Sequence, residues 1–197
     1  MLESELGVDE SVIDISINTD SEEENRAAAE LLETLDLERI VRYTLQTLHI
    51  EQVVTLTLVI SGDTEIQALN RHYRAQDKPT DVLSFPLLDE PLVEAPADLL
   101  WQAPEETDEM TGTVEQAVMP VFVTPAELST NLGDIMISWP TMHRQANEAG
   151  HTIADELLFL LCHGVLHLVG YDDQTEAGYT EMVRLQKEIL ARAERKG

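Results

Sequence analysis

Two histidines near the C-terminus, His163 and His167, lie four residues apart in an apolar stretch. Four residues of an α-helix turn through about 400°, so both imidazoles project from the same face. Gly170 can end such a helix in a left-handed conformation and turn the chain back. Asp173 then lies where a third ligand would be needed. This spacing, H-x-x-x-H-x-x-G-x-x-(H/D), is typical of catalytic zinc sites and predicts that His163, His167 and Asp173 bind a metal.

The residue after the first histidine indicates which class of reaction the site can catalyse. Zinc peptidases with this helix carry Glu there, and that Glu acts as the general base. In this chain the position is Gly164, which has no side chain to accept a proton. The sequence therefore favours a metal enzyme of another reaction class.

Three points about the predicted metal site stay open at this stage. The two histidines could instead be core residues, although burying two imidazoles on one face is costly unless something uses both. Asp172 is a candidate for helix capping or for supporting a ligand, and Asp172 and Asp173 could exchange roles. Two histidines and one carboxylate suit zinc, and they also suit iron or another divalent transition metal.

A short basic run provides a candidate phosphate-binding segment. Arg71, Arg74 and Lys78 lie close together before a predicted strand. A guanidinium group matches phosphate oxygens, and we place Arg74 on a loop entering that strand, where binding sites are common. The alternative is a solvated helix end, where the helix dipole favours cations. Asp81 and Asp134, each at the predicted start of a strand, are candidate buried carboxylates that could support the site or cap a turn.

Composition limits the class of protein. A chain of 197 residues favours a single domain covering residues 1–197. The net charge of -26 argues against a general nucleic-acid binder, so RNA binding would need a local basic patch. No apolar run is long enough to cross a membrane, no secretory signal is expected, and the lone Cys162 excludes an internal disulfide. We therefore expect a cytoplasmic protein with neither a membrane nor a disulfide partner.

Hydrophobic periodicity predicts an α+β fold, a small mixed β-sheet covered by helices. The predicted strands are residues 12–17, 53–60, 81–85 and 133–138. The predicted helices are one from Ser21, then 37–49, 63–70, 140–150, 153–169 and 175–195. Residues 1–10 are predicted to be flexible. Residues 87–131 form an acidic insert with several prolines and no Lys or Arg, predicted as a long or partly disordered loop with a short hairpin arm at 118–124.

Three ordered motifs resemble the bacterial YbeY-type rRNA maturation endoribonucleases. They are the segments 70–86 (NRHYRAQDKPTDVLSFP), 132–138 (LGDIMIS) and 163–172 (HGVLHLVGYD). The resemblance covers residues 12–187 apart from the insert. It implies a zincin-like α+β fold, one zinc ion held by three histidines, and single-strand-specific endoribonuclease activity in 16S rRNA 3′-end maturation and ribosome quality control. On this chain it makes His163 and His167 zinc ligands, puts Asp173 in place of the third histidine, and gives Arg74 a role with the RNA phosphate.

The resulting hypothesis is a metal-dependent endoribonuclease with Arg74, His163 and His167 as catalytic residues. Its expected partners are ribosomal RNA, the small ribosomal subunit and ribosome-associated proteins. One alternative is a zincin-type hydrolase acting on another substrate, which Gly164 argues against. Another is a non-catalytic ribosome-assembly factor whose metal is structural or lost and whose acidic insert docks onto ribosomal proteins. The acidity could also reflect adaptation of the organism to salt.

Overall fold

The computed structural model describes residues 11–102 and 129–194, and within these ranges four strands form one mixed sheet. The strands are β1 (Val12–Asn18), β2 (Val54–Ser61), β3 (Val82–Pro86) and β4 (Thr130–Ser138). The sheet order is β1-β2-β4-β3. The first three strands in this order are parallel, and β3 runs antiparallel along the outer side of β4. The predicted flexible N-terminus and the predicted hairpin arm at 118–124 lie outside the described residues.

Six α-helices accompany the sheet in the described ranges. They are α1 (Glu22–Leu32), α2 (Leu37–Thr47), α3 (Asp63–Arg74), α4 (Trp139–Ala149), α5 (Ile153–Val169) and α6 (Glu176–Glu194). Several begin at side-chain caps that the sequence supplies, such as Ser21 for α1 and Asp36 for α2. This arrangement confirms the predicted α+β class with a small mixed sheet covered by helices.

Helix α5 is the central helix of the core. It contacts β3 and β4 of the sheet, and α2, α4 and α6 pack around it. Its start is fixed by a capping box in which Thr152 and Asp155 satisfy each other's backbone N–H groups. Because most of its side chains are buried, its amphipathic pattern is weak in the sequence, as expected for a helix enclosed on several sides.

Gly164 allows α5 to lie close against the sheet. A Cβ atom at this position would lie 2.8 Å from side-chain atoms of the fully buried Ile135 on β4. The position that carries the general base in peptidases therefore faces the core of this protein. A glutamate there would have to displace the sheet rather than reach a substrate.

Two predicted boundaries differ from the structure by more than two residues. Helix α3 extends to Arg74, so Arg71 and Arg74 lie in its last turn and not on a loop entering a strand. The helix dipole favours these cations, and Ala75 ends the helix in the left-handed conformation. Strand β4 begins at Thr130, three residues before the predicted start, which makes Asp134 an interior residue of the strand.

In the described part of the chain, no single helix is long and apolar enough to span a membrane. Helices α4 and α5 would pass such a test together by length and composition alone, with a bend of 114° between them.

Candidate functional site

Helix α5 and the loop that follows it bring three potential metal ligands together. The Nε2 atoms of His163 and His167 are 3.0 Å apart. The Asp173 Oδ2 atom lies 3.7 Å from the Nε2 of His163 and 3.9 Å from that of His167. Gly170 ends the helix with φ at +132°, and this turn returns Asp173 to the face that carries the histidines. Donor atoms at these distances could hold a metal ion after small side-chain adjustments.

A backbone carbonyl fixes the orientation of His167. The Nδ1 atom lies 2.9 Å from the carbonyl oxygen of Tyr171, which can only accept a hydrogen bond. Nδ1 therefore carries the proton, and the lone pair of the neutral imidazole is left on Nε2, the atom that points to His163 and Asp173. This arrangement, with one ring nitrogen held and the other free to bind, is common for metal-ligating histidines.

His163 is held in the neutral form needed by a metal ligand. Burial, followed by the nearby His167, lowers the pKa of His163 to about 4, although Asp173 and Asp81 act in the opposite direction. The buried side chain of Gln186, on α6, forms a hydrogen bond with His163. At neutral pH His163 is therefore available as a nitrogen donor.

Cys162 is next to His163 in the chain but does not join the cluster. Its side chain is fully buried in the hydrophobic core, and burial raises the pKa of the thiol to about 12. A thiol of this kind is a small apolar core group rather than a ligand or a nucleophile.

The three donors lie in the wall of a cleft of about 430 Å³. Among the described residues that line it, Arg74 is the only lysine or arginine. Asp81 and Asp172 also line the cleft. The cleft therefore combines the cluster of donors with one cation suited to a phosphate group.

The structure does not bring every residue singled out from the sequence into this cleft. Arg71 and Lys78 are exposed and are not among the described residues that line it. Arg71 forms an ion pair with Asp77 at 3.6 Å. Asp134 is not among the lining residues either, because it lies inside β4 between Thr57 and Phe85 of the neighbouring strands.

Asp81 is organised by hydrogen bonds just before β3. Its Oδ1 accepts from the Thr80 hydroxyl and the Val82 backbone N–H, and its Oδ2 accepts from Gln145 at 3.0 Å. These bonds fit the turn-capping alternative, and they hold a negative charge that acts on His163. Asp172 accepts from the backbone of Gln174, while Thr175 caps α6 by accepting from the N–H of Gly178.

Residues 87–102, which we call the crossing segment, pack against the end of α5. Leu92 donates to the carbonyl of Val169, and the Trp101 backbone donates to that of Gly170. Leu100 forms an antiparallel bridge with Tyr171, the residue whose carbonyl orients His167. The Trp101 indole N–H donates to the His167 carbonyl at 3.0 Å. The crossing segment, which is the first part of the predicted insert, therefore holds in place the turn that carries Asp173.

Two residues of the site were missed from the sequence. Trp101 lies in a segment without periodicity, and its only signal was a tryptophan directly after two leucines in an acidic stretch with several prolines. Gln186 lies on the inner face of an amphipathic helix, and a glutamine at an otherwise apolar position could have indicated a buried hydrogen bond.

The fold and the cluster define an α+β protein with a His-His-Asp set of potential metal ligands at the end of its core helix. Comparison with known proteins gives a more specific result. The family model described as Endoribonuclease YbeY matches residues 16–194, so the chain belongs to the endoribonuclease YbeY family.

Two relatives with similar sequences agree with this assignment. Endoribonuclease YbeY of Moorella thermoacetica is 40% identical over 162 residues, which cover 82% of this chain and 86% of the relative. Endoribonuclease YbeY of Synechocystis sp. is 35% identical over 191 residues, which cover 93% and 91%. The solution structure of TM1509 from Thermotoga maritima is 22% identical, covers 92% of this chain and 93% of its own, and has a TM-score of 0.47.

Proposed function

We propose that this protein is a metal-dependent, single-strand-specific endoribonuclease that acts in 16S rRNA 3′-end maturation and ribosome quality control. The observation that carries the proposal is the convergence of His163, His167 and Asp173 in a cleft that Arg74 also lines. Membership of the endoribonuclease YbeY family supports the reaction type. RNA is then the substrate, and the small ribosomal subunit with its associated proteins is the proposed setting, in the cytoplasm.

The proposed cofactor is one zinc ion per chain, held by His163, His167 and Asp173. Two imidazoles and one carboxylate fit catalytic zinc, and the same set admits iron or another divalent transition metal. When bound, such an ion supplies Lewis-acid chemistry to a phosphoryl oxygen or to a water molecule. The chain's contribution is to keep His163 neutral, to hold the His167 ring through the Tyr171 carbonyl, and to return Asp173 to the cluster.

Arg74 is proposed to bind the phosphate at the cleavage site. Its guanidinium group can donate two parallel hydrogen bonds to phosphate oxygens and stabilise the charge that develops during cleavage. RNA also carries its own nucleophile, the 2′-hydroxyl, so the lack of a glutamate at Gly164 does not prevent the reaction. Attack by the 2′-hydroxyl leaves a 2′,3′-cyclic phosphate, whereas attack by water does not.

The metal proposal is tested by elemental analysis of the purified protein and of the variants His167→Ala and Asp173→Ala. We expect about one zinc per wild-type chain and a large loss in both variants. The matched control is His49→Asn, which changes an exposed histidine with positive φ to a residue that tolerates this conformation. Equal metal content in all four proteins, or no metal in any of them, would contradict the proposed metal site.

The activity is tested with a single-stranded RNA that contains the 3′ end of 16S rRNA and with a matched duplex. Wild type and His49→Asn should cut the single strand, and His167→Ala should not. The chemistry of the new RNA ends then identifies the nucleophile. A metal-loaded protein that co-sediments with small ribosomal subunits but cuts no RNA would instead be a non-catalytic assembly factor.

A further inference from the structure

Two aromatic rings are exposed in the cleft that holds the candidate metal ligands. Phe159 on α5 is 41% exposed and Tyr179 on α6 is 60% exposed, and both line the cleft. Phe159 precedes His163 by four residues and His167 by eight, so all three project from one face of the helix. The aromatic surface is thus continuous with the donor cluster, not a separate patch.

The surroundings of the two rings limit what they can bind. Leu160, Met182 and Val183 line the same cleft, which is partly apolar, while Arg74 enters it from α3. One cleft therefore offers a cation for a phosphate group and ring faces for a flat apolar group. A nucleotide has both of these parts. An unpaired base presents its face to an aromatic side chain, whereas a base in a duplex is stacked between its neighbours.

The charge of the protein also favours a short-range interaction. A net charge of -26 repels RNA at long range, so general electrostatic attraction cannot supply the affinity. Stacking does not depend on net charge and tolerates any base sequence.

We propose that Phe159 and Tyr179 bind unpaired bases next to the cleaved phosphate by stacking, and that they are the residues that make the cleft select single-stranded RNA. The proposal rests on the proposed endoribonuclease function. It concerns recognition of the substrate, so it can be tested separately from the chemistry of cleavage.

The test measures binding of a 2′-O-methyl RNA oligonucleotide that contains the fluorescent base 2-aminopurine, in single-stranded and duplex form. Phe159→Leu and Tyr179→Leu keep an apolar side chain but remove the ring. Each should weaken single-strand binding by about fivefold or more and reduce the quenching of 2-aminopurine. Tyr179→Phe keeps the ring and should bind like wild type. The matched control is Tyr73→Leu, because Tyr73 is 62% exposed but is not among the described residues that line the cleft.

The proposal is wrong if both leucine variants keep wild-type affinity and quenching, or if the control loses as much as they do. An equal loss for duplex and single strand would also overturn it, because stacking on unpaired bases would then not be the cause. Failure of the proposed function looks different. In that case wild type cuts no RNA in the metal-loaded assay, whatever the leucine variants do to binding.

Discussion

At the scale of single residues, the two histidines of the cluster are oriented by different partners. The Tyr171 carbonyl holds His167 from within the same loop, whereas Gln186 reaches His163 from another helix. Partners of this kind set the tautomer and ring orientation of metal ligands, and their loss typically costs 10- to 100-fold in metal affinity. The affinity of this site for a metal therefore depends on α6 as well as on α5.

Replacing Gln186 tests this dependence. Gln186 is only 2% exposed, and Gln186→Leu fills a similar volume but removes the hydrogen bond to His163. We expect metal affinity to fall by roughly 10-fold or more, measured by competition with a chelator. Gln186→Glu keeps an acceptor and should retain more affinity than the leucine variant. Equal affinity in all three proteins would show that Gln186 only fills space.

At the scale of elements, the site depends on two close contacts of α5. One face of the helix lies on β4 through Gly164, and its C-terminal end is covered by the crossing segment. The last carbonyls of a helix lack partners within the helix, so the bonds from residues 87–102 replace them. Both contacts position the histidines.

Replacing Trp101 tests the contact at the helix end. Trp101→Phe keeps a ring in the cleft wall but removes the indole N–H that donates to the His167 carbonyl. We expect a loss of about 0.5–1.5 kcal/mol in the free energy of unfolding, together with weaker metal binding. Denaturant unfolding and chelator competition measure the two effects. The neighbouring Gln102→Ala, which changes an exposed side chain, should alter neither. Unchanged metal binding in Trp101→Phe would show that the indole N–H of Trp101 does not position His167.

Replacing Gly164 tests the contact with the sheet. The Cβ atom of Gly164→Ala would press on Ile135, and overpacking of this kind costs about 1–3 kcal/mol. The better helix propensity of alanine offsets about 1 kcal/mol of this cost. We therefore expect net destabilisation in denaturant unfolding, and a smaller effect of the same change when Ile135→Ala removes the side-chain atoms that the new Cβ would press on. If the double variant shows no such coupling, the two side chains do not compete for the same space.

At the scale of the whole molecule, strong acidity is combined with one cation in the cleft. Each phosphate contact made by a cation adds about 0.7 to the slope of log affinity against log salt for single-stranded nucleic acid. A protein that binds RNA through Arg74 and stacking should therefore show a shallow dependence on salt, unlike a basic RNA-binding domain.

Replacing Arg74 tests this expectation. Arg74→Ala should weaken binding of single-stranded RNA and lower the salt slope by about 0.7. Arg71→Ala is the matched control, since Arg71 pairs with Asp77 and is not among the described residues that line the cleft. A similar change in slope for both variants would show that RNA follows the exposed end of α3, as the basic run in the sequence suggests.

The sequence by itself determined the parts of this protein that depend on local spacing. Helical periodicity placed His163 and His167 on one face, and Gly170 predicted the turn that returns Asp173. A run rich in β-branched residues identified the strand that became β2. Residues about four apart on a helix, or two apart on a strand, have relative positions that the backbone geometry fixes. For the same reason the spacing alone revealed that Gly164 takes the place of a peptidase's general base.

Only the tertiary structure decided which distant residues join that local motif. Trp101 and Gln186 reach the histidines from segments 66 and 23 residues away, and no local period relates such positions. The structure also left Arg71, Lys78 and Asp134 outside the cleft, although their residue types suited it. Chain packing decides such contacts, because a side chain's direction depends on where its whole helix or strand lies against the core.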